Sequence, residues 1–198
     1  MYWDRIDKIT VVTLRSFRKS PLMQSFYLSG GTALSLQIGP RVSADIDFFT
    51  QKPTTKINAE KIIKQLRDSF PKSRLTVTYR AVDQLWINLD GVKVTFLAFP
   101  FPGKNPFVDA DGIPLADVKD IALQKTFSIG RRAKARDYVD LAWLLREKRT
   151  TLKEISRDAQ EVFVEDNDPL FSPKLFLQQL GYTDDLEGSR CSCTTATY

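Results

Sequence analysis

A chain of 198 residues, 42% hydrophobic and 27% charged, has the composition of a compact globular protein, which argues against the disordered and membrane-embedded classes. It contains no histidine, so Ser-His-Asp and Cys-His catalysis and imidazole-based zinc sites are excluded; any catalysis rests on carboxylates, lysine, arginine, hydroxyls or a bound metal. A net charge of +5, from 29 basic and 24 acidic residues, is compatible with a nucleic-acid or nucleotide partner but too small a bias to demonstrate one.

Met1 to Lys8 mixes Asp4, Arg5, Asp7 and Lys8 with apolar residues and has no h-region, which predicts a cytoplasmic chain without a signal peptide. Ile6, Ile9, Val12, Leu14 and Phe17 recur at a helical period, predicting a helix from Arg5 to Lys19 that Pro21 ends. Phe26-Tyr27-Leu28-Ser29 reads as a strand running into the Gly30-Gly31 turn. Thr32 can then cap a short helix that stops at Gly39-Pro40. Ala44 to Phe49 reads as a strand, and Asn58 to Phe70, with Ala59, Ile62, Ile63 and Leu66 on one face, as a helix.

Three strands are predicted next, Arg74–Ala81, Gln84–Leu89 and Val92–Phe99, the last two joined by the hairpin signal Asp90-Gly91. A Pro/Gly-rich connection covers Pro100 to Pro114. Helices are predicted over Asp117–Ile129, Arg136–Lys148, a Thr150-Thr151-capped segment to Val164, and Pro173–Leu180. The tail from Thr183, with Cys191 and Cys193 one residue apart among Ser and Thr, reads as disordered; two thiols cannot complete a tetrahedral zinc site. The order of elements predicts an α+β chain, a small mixed sheet followed by a helical C-terminal half. Residues 1–115 form the core, 116–182 a helical region and 183–198 a tail.

The informative stretch runs from Leu28 to Phe49. On a strand, Asp45 and Asp47 project to the same side, and carboxylates that close repel each other unless a cation lies between them. Such an oxygen pair suits Mg²⁺, which is held by one or two carboxylates plus substrate phosphates. Upstream, Gly30 and Gly31 let the backbone approach a ligand, and the helix start near Thr32 offers N–H groups to a phosphate. Each signal has a plainer reading: a Gly-Gly pair is often only a tight turn, and an Asp-x-Asp strand can be a solvent-facing edge. The apolar flanks Ile46, Phe48 and Phe49 favour a buried strand, where unpaired carboxylates are costly.

Gly-Gly-Thr-Ala-Leu at 30–34, Gly-x-Arg-x-Ser at 39–43 and Asp-x-Asp-Phe-Phe at 45–49 resemble the AbiEii/AbiGii toxin family of nucleotidyltransferases, within the DNA polymerase β-like superfamily. Asp117 to Lys125, Arg131-Arg132 and Arg136-Asp137-Tyr138-Val139-Asp140-Leu141 resemble that family's downstream motifs. The resemblance implies a polymerase β-like nucleotidyltransferase fold and transfer of a nucleoside monophosphate from an NTP to an acceptor such as tRNA. It also implies a toxin of a toxin–antitoxin or abortive-infection system with a cognate antitoxin. Carried over residue by residue, Gly30, Gly31, Thr32 and Ser43 would bind the triphosphate and Asp45 and Asp47 would hold Mg²⁺. Lys125 would meet phosphate charge, and Asp137 would sit in the site or brace it.

The plainer readings of the second motif are a surface lysine at Lys125 and helix-start acids at Asp137 and Asp140. The basic cluster from Arg131 to Arg136 is a solvated turn or a surface that meets a polyanion. Many members of the superfamily carry a third carboxylate on a later strand, where this chain has Thr95; Asp83, Asp90 or Asp137 are the alternatives for that charge. Two rival functions follow. One is a nucleotide-binding or regulatory protein on the same fold that no longer transfers; the other adenylylates a small molecule such as an aminoglycoside.

Overall fold

The computed structural model describes residues 1–129, 131–132 and 134–182, which divide into two units, Met1–Asp117 and the residues from Val118 onward. Cys191, Cys193 and the rest of the tail expected from Thr183 lie outside the described residues.

In the first unit, helix α1 (Lys8–Ser16) is shorter than the periodicity predicts because Asp7 caps it: the carboxylate accepts the N–H groups of Ile9 and Thr10. Strand β1 (Phe26–Ser29) leads directly into helix α2 (Gly30–Ile38), and Gly39, at φ +62, closes that helix in the left-handed conformation. Strand β2 (Ile46–Thr50) begins one residue after Asp45. Helix α3 (Ala59–Ser69) follows, with Ile62, Ile63 and Leu66 buried. The Asn58 side chain accepts the Lys61 N–H at 3.0 Å to cap α3. Asn58→Ala should therefore lower stability by about 1 kcal/mol. A urea midpoint that does not move would show the cap to be idle.

Strands β3 (Leu75–Arg80), β4 (Gln84–Leu89) and β5 (Val92–Leu97) are an antiparallel meander; Asp90 and Gly91 both take positive φ in the β4–β5 turn, as the hairpin signal requires. The Pro/Gly-rich connection also holds a second hairpin, β6 (Val108–Ala110) and β7 (Ile113–Leu115), turned at Asp111-Gly112 with φ of 57° and 85°. The sheet order is β3-β4-β5-β2-β1-β7-β6. β2 is fourth of the seven strands, parallel to β5 and antiparallel to β1. It is a mixed sheet, larger by one hairpin than the sequence suggests.

One face of this sheet is the core. Leu28, Ile46, Phe48, Val94, Phe96, Leu85 and Ile87 are fully buried there together with Phe17, Leu14 and Leu66. The Phe17 ring lies 4.9 Å from both Phe48 and Phe70, and Phe48 stacks on Phe96 at 5.4 Å. Side chains alternate along a strand, so Ser29, Asp47 and Thr95 emerge on the opposite face. The packing of Phe48 thus determines where Asp47 points.

The second unit is helical. Helix α4 (Val118–Ile129) packs on α5 (Ala135–Arg146), α6 (Leu152–Val162) and α7 (Pro173–Gly181). Its core includes Ile121, Leu141, Leu144, Ile155 and Phe163. Thr151 and Glu154 form a reciprocal capping box on α6. A two-residue-per-strand hairpin, β8 (Val164–Glu165) and β9 (Asp168–Pro169), turns on Asp166 and Asn167 at positive φ before α7. Among the described residues no helix is long and apolar enough to cross a membrane.

Candidate active site

The β1–α2 turn and β2 meet across one row of the sheet. Ser29 is the antiparallel partner of Asp47, and Thr95 is the parallel partner of Asp47 on the other side. Gly30 follows Ser29 at φ +66, a conformation that disfavours any Cβ. A Cβ there would also stand 2.8 Å from Asp47 Oδ2. At Gly31 a Cβ would overlap the Arg41 guanidinium and lie 3.4 Å from Ser43 Oγ. Both glycines thus leave room for charged or polar groups to approach the start of α2. The helix begins at Gly30, so Thr32, expected to cap it, is instead its third residue.

The Thr32 and Ser43 side chains are turned inward, at 1% and 6% exposure. Thr32 Oγ1 hydrogen-bonds Ser43 Oγ at 2.9 Å and also the Asp45 carbonyl oxygen. These contacts belong to a wider arrangement that holds residues 41–45. Ser35 Oγ donates to the Arg41 carbonyl, Arg41 Nη1 to the Val42 carbonyl, the Asp7 N–H to the Ser43 carbonyl and Thr10 Oγ1 to the Ala44 carbonyl. Every carbonyl from 41 to 45 therefore has a donor, although the segment lies outside the named helices and strands. A loop pinned this way presents the following carboxylates in a fixed place.

Asp45 and Asp47 are both half-buried, Asp45 just before β2 and Asp47 within it. A pair of carboxylate oxygen donors matches a hard cation that keeps waters and phosphate oxygens as its other ligands. They do not make a closed protein cage: among the described residues no group of three or more His, Cys, Asp or Glu is placed to hold a metal. Thr95 is buried opposite Asp47. Asp83 and Asp90, the alternatives for a third carboxylate, lie in the turns before β4 and before β5, outside this row. Asp90 is occupied with the Arg74 N–H at 2.8 Å; its hydrogen bonds from Ser73 and Arg74 hold its carboxyl below the usual aspartate range.

The second unit gathers the downstream motif. Lys125 on α4 is buried rather than exposed, which overturns the surface-lysine reading. Its Nζ lies 2.7 Å from Asp137 Oδ1 and 2.7 Å from Asp140 Oδ2, two acids spaced i, i+3 on one face of α5. Both aspartates are 0% exposed, and Arg132 Nε donates to Asp137 Oδ2 at 3.0 Å. Burial alone would push the Asp137 carboxyl up. The charges and hydrogen bonds of Lys125 and Arg132 outweigh it and hold that carboxyl below its ordinary value. Two acids and two bases meet here, and both acids are more than helix-start charges.

Sequence reasoning passed over Arg41 as a site residue, although it stands in the quoted Gly-x-Arg-x-Ser stretch; only the fold shows its guanidinium lying against Gly31. Trp86 and Tyr79, which continue the Asp47–Thr95 row, carried no motif signal at all.

Residues 13–187 match the family described as nucleotidyl transferase AbiEii toxin, type IV TA system. An uncharacterised protein of Aquifex aeolicus is 37% identical over 140 residues, which are 69% of this chain and 65% of that protein's length. A crystal structure of a candidate nucleotidyltransferase from H. pylori superposes with a TM-score of 0.51 at 18% identity, covering 88% of this chain and 92% of that one. MenT4, a nucleotidyltransferase toxin of Mycobacterium tuberculosis, gives 0.48 at 13% identity over 91% and 85% of the two chains. The fold is that of the polymerase β-like nucleotidyltransferases. With its glycine turn, the Asp-x-Asp segment at the start of β2 and the buried Lys-Asp cluster falling inside the matched span, the chain belongs to the AbiEii nucleotidyl transferase toxin family of the type IV toxin–antitoxin system.

Proposed function

We propose that this chain transfers a nucleoside monophosphate from an NTP to an RNA acceptor such as tRNA, in a Mg²⁺-dependent reaction, as a toxin held in check by a cognate antitoxin in the cytoplasm. The observation that carries the reading is the apposition of the Gly30 turn and the Asp47 carboxylate, where a single added carbon would stand 2.8 Å from Oδ2. The α2 N-terminus and Arg41 receive the triphosphate beside Gly30 and Gly31, while Asp45 and Asp47 are the ligands for Mg²⁺. Mg²⁺ bound there neutralises charge on the phosphates. Thr32 and Ser43 serve the nucleotide by fixing the loop that carries Asp45, because their hydroxyls are committed to that loop.

The acceptor's hydroxyl oxygen forms a bond to the α-phosphorus, the bond from α-phosphorus to the bridging oxygen breaks, and pyrophosphate leaves; the hydroxyl proton passes to water. Lys125 and Asp137 support the reaction, Asp137 as the buried brace that orients the Lys125 ammonium. The test is transfer of α-³²P label from each nucleoside triphosphate to total RNA with Mg²⁺. Label in an RNA band with the wild type, absent with Asp45→Ala/Asp47→Ala, is the expected result. No label from any nucleotide, while Mg²⁺-dependent triphosphate binding persists, would defeat the transferase reading.

A second reading has an observation of its own. Thr95 occupies the position beside Asp47 where a third carboxylate would complete the site, and a threonine hydroxyl is no base near neutral pH. On that reading the chain binds nucleotide without transferring it. Thr95→Asp would then create transfer in an otherwise inactive protein, whereas an active wild type with an unimproved Thr95→Asp variant removes this alternative.

A further inference from the structure

The row of side chains that contains Asp47 does not stop at Thr95. Trp86 is the antiparallel partner of Thr95 and Tyr79 the antiparallel partner of Trp86, so across the sheet the row runs Ser29, Asp47, Thr95, Trp86, Tyr79. Paired residues share a sheet face, and strands lie about 4.8 Å apart, which puts Trp86 roughly 10 Å and Tyr79 roughly 14 Å from Asp47. A register shift in β3 between Val77 and Tyr79 brings Tyr79 onto this face.

The two rings form an organised group. Their centroids are 4.8 Å apart at 43°. The indole N–H donates to Gln84 Oε1 at 2.9 Å, which fixes the ring's orientation. Lys93, two residues before Thr95 on the same face, holds its Nζ 4.6 Å over the Trp86 ring. Tyr79 is 45% exposed at the edge of the sheet. The Phe17–Phe48–Phe96 core lies on the opposite face, and Tyr79, exposed at the sheet edge, is not part of it.

We propose that Tyr79, braced by Trp86 and accompanied by the Lys93 charge, stacks an unpaired base of a single-stranded nucleic-acid acceptor. The inference rests on the nucleotidyl-transfer reading and names its acceptor class. Attacking and leaving oxygens must lie roughly in line at the transferred phosphorus. The glycine turn lies on the β1 side of Asp47 and the aromatic row on the β5 side. With the triphosphate at the turn, the acceptor hydroxyl approaches from the β5 side, and the next bases of its strand reach the rings. An aromatic platform beside a cation is sequence-tolerant and admits only bases free of a duplex stack.

The test reads binding without chemistry: fluorescence anisotropy of a labelled single-stranded oligocytidylate with wild type, Tyr79→Ala and Tyr79→Phe. Tyr79 is exposed at the sheet edge, so its truncation leaves the core intact, and thermal melts of the variants check this. Tyr79→Ala should weaken binding about tenfold or more, and Tyr79→Phe should stay within about twofold of wild type. Equal affinity in Tyr79→Ala and wild type overturns the proposal, as does a wild type that does not bind the oligonucleotide. A loss confined to triphosphate affinity also overturns it and assigns the rings to the incoming nucleotide's base. A wild type that labels RNA yet binds independently of Tyr79 defeats this inference alone. One that binds through Tyr79 and labels nothing defeats the transfer reading alone.

Discussion

Gly30→Ala should reduce nucleotidyl transfer by roughly a hundredfold, the size of effect a misplacement of about 1 Å in a reacting constellation produces. The added methyl group would meet Asp47 Oδ2 at 2.8 Å, so either the carboxylate or the turn must move. The φ of +66 adds a backbone cost of about 1–2 kcal/mol that any β-carbon incurs there. Gly91→Ala separates the two effects. Gly91 also has positive φ, at +93, but nothing lies within 4 Å of its would-be Cβ. That variant should lose comparable stability and keep full transfer. Steady-state label transfer, compared with urea midpoints for both proteins, decides the matter. Full activity in Gly30→Ala would mean that the contact between turn and carboxylate has no part in the reaction.

Lys125→Met should cost about 3–5 kcal/mol of folding stability, because it leaves Asp137 and Asp140 buried without the ammonium that both contact. Arg132 still reaches Asp137 but is itself half-exposed and compensates weakly. Replacing the cluster as a whole, Lys125→Met/Asp137→Leu/Asp140→Leu, should recover most of the loss, since no buried charge then lacks a partner. A loss below about 1 kcal/mol in Lys125→Met would contradict the buried ion cluster. The pH dependence has a definite sign. The folded-state pKa of Asp137 is depressed, so the stability it contributes is fully present above the ordinary aspartate value of about 3.9. It is lost as pH falls below that value, through the folded-state pKa. The acid-side fall in urea midpoint should accordingly be smaller in Asp137→Asn than in wild type.

The parts of this architecture that were legible in the sequence are those governed by neighbouring residues. Gly30-Gly31 announces a turn, Asp90-Gly91 a hairpin, and the alternation around Asp47 a strand with one face inside. The β6–β7 hairpin carries the same kind of signal, Asp111-Gly112, but the surrounding prolines and glycines at 100–106 read as a loop and masked two short strands. Lys125 illustrates the other limit. A lysine among apolar helix positions is by default a surface residue, and only the packing of α4 on α5 supplies the two carboxylates that make its burial tolerable. The Tyr79–Trp86–Thr95–Asp47 row depends on four strands and on an irregularity in β3, and no periodicity within a single strand encodes it.

The central position of β2 bears on the order in which a ribosome delivers this protein. Asp47 is translated early, yet one edge of its strand finds its partner only when residues 92–97 have emerged, and β1 waits for Leu115 to complete its own pairing. A nascent chain that ends between Thr50 and Val92 already contains the glycine turn and both aspartates, but the parallel neighbour of Asp47 has not been made. The full sheet around the site therefore assembles only once Leu115 has emerged, and fragments released by premature termination before β5 should lack transfer.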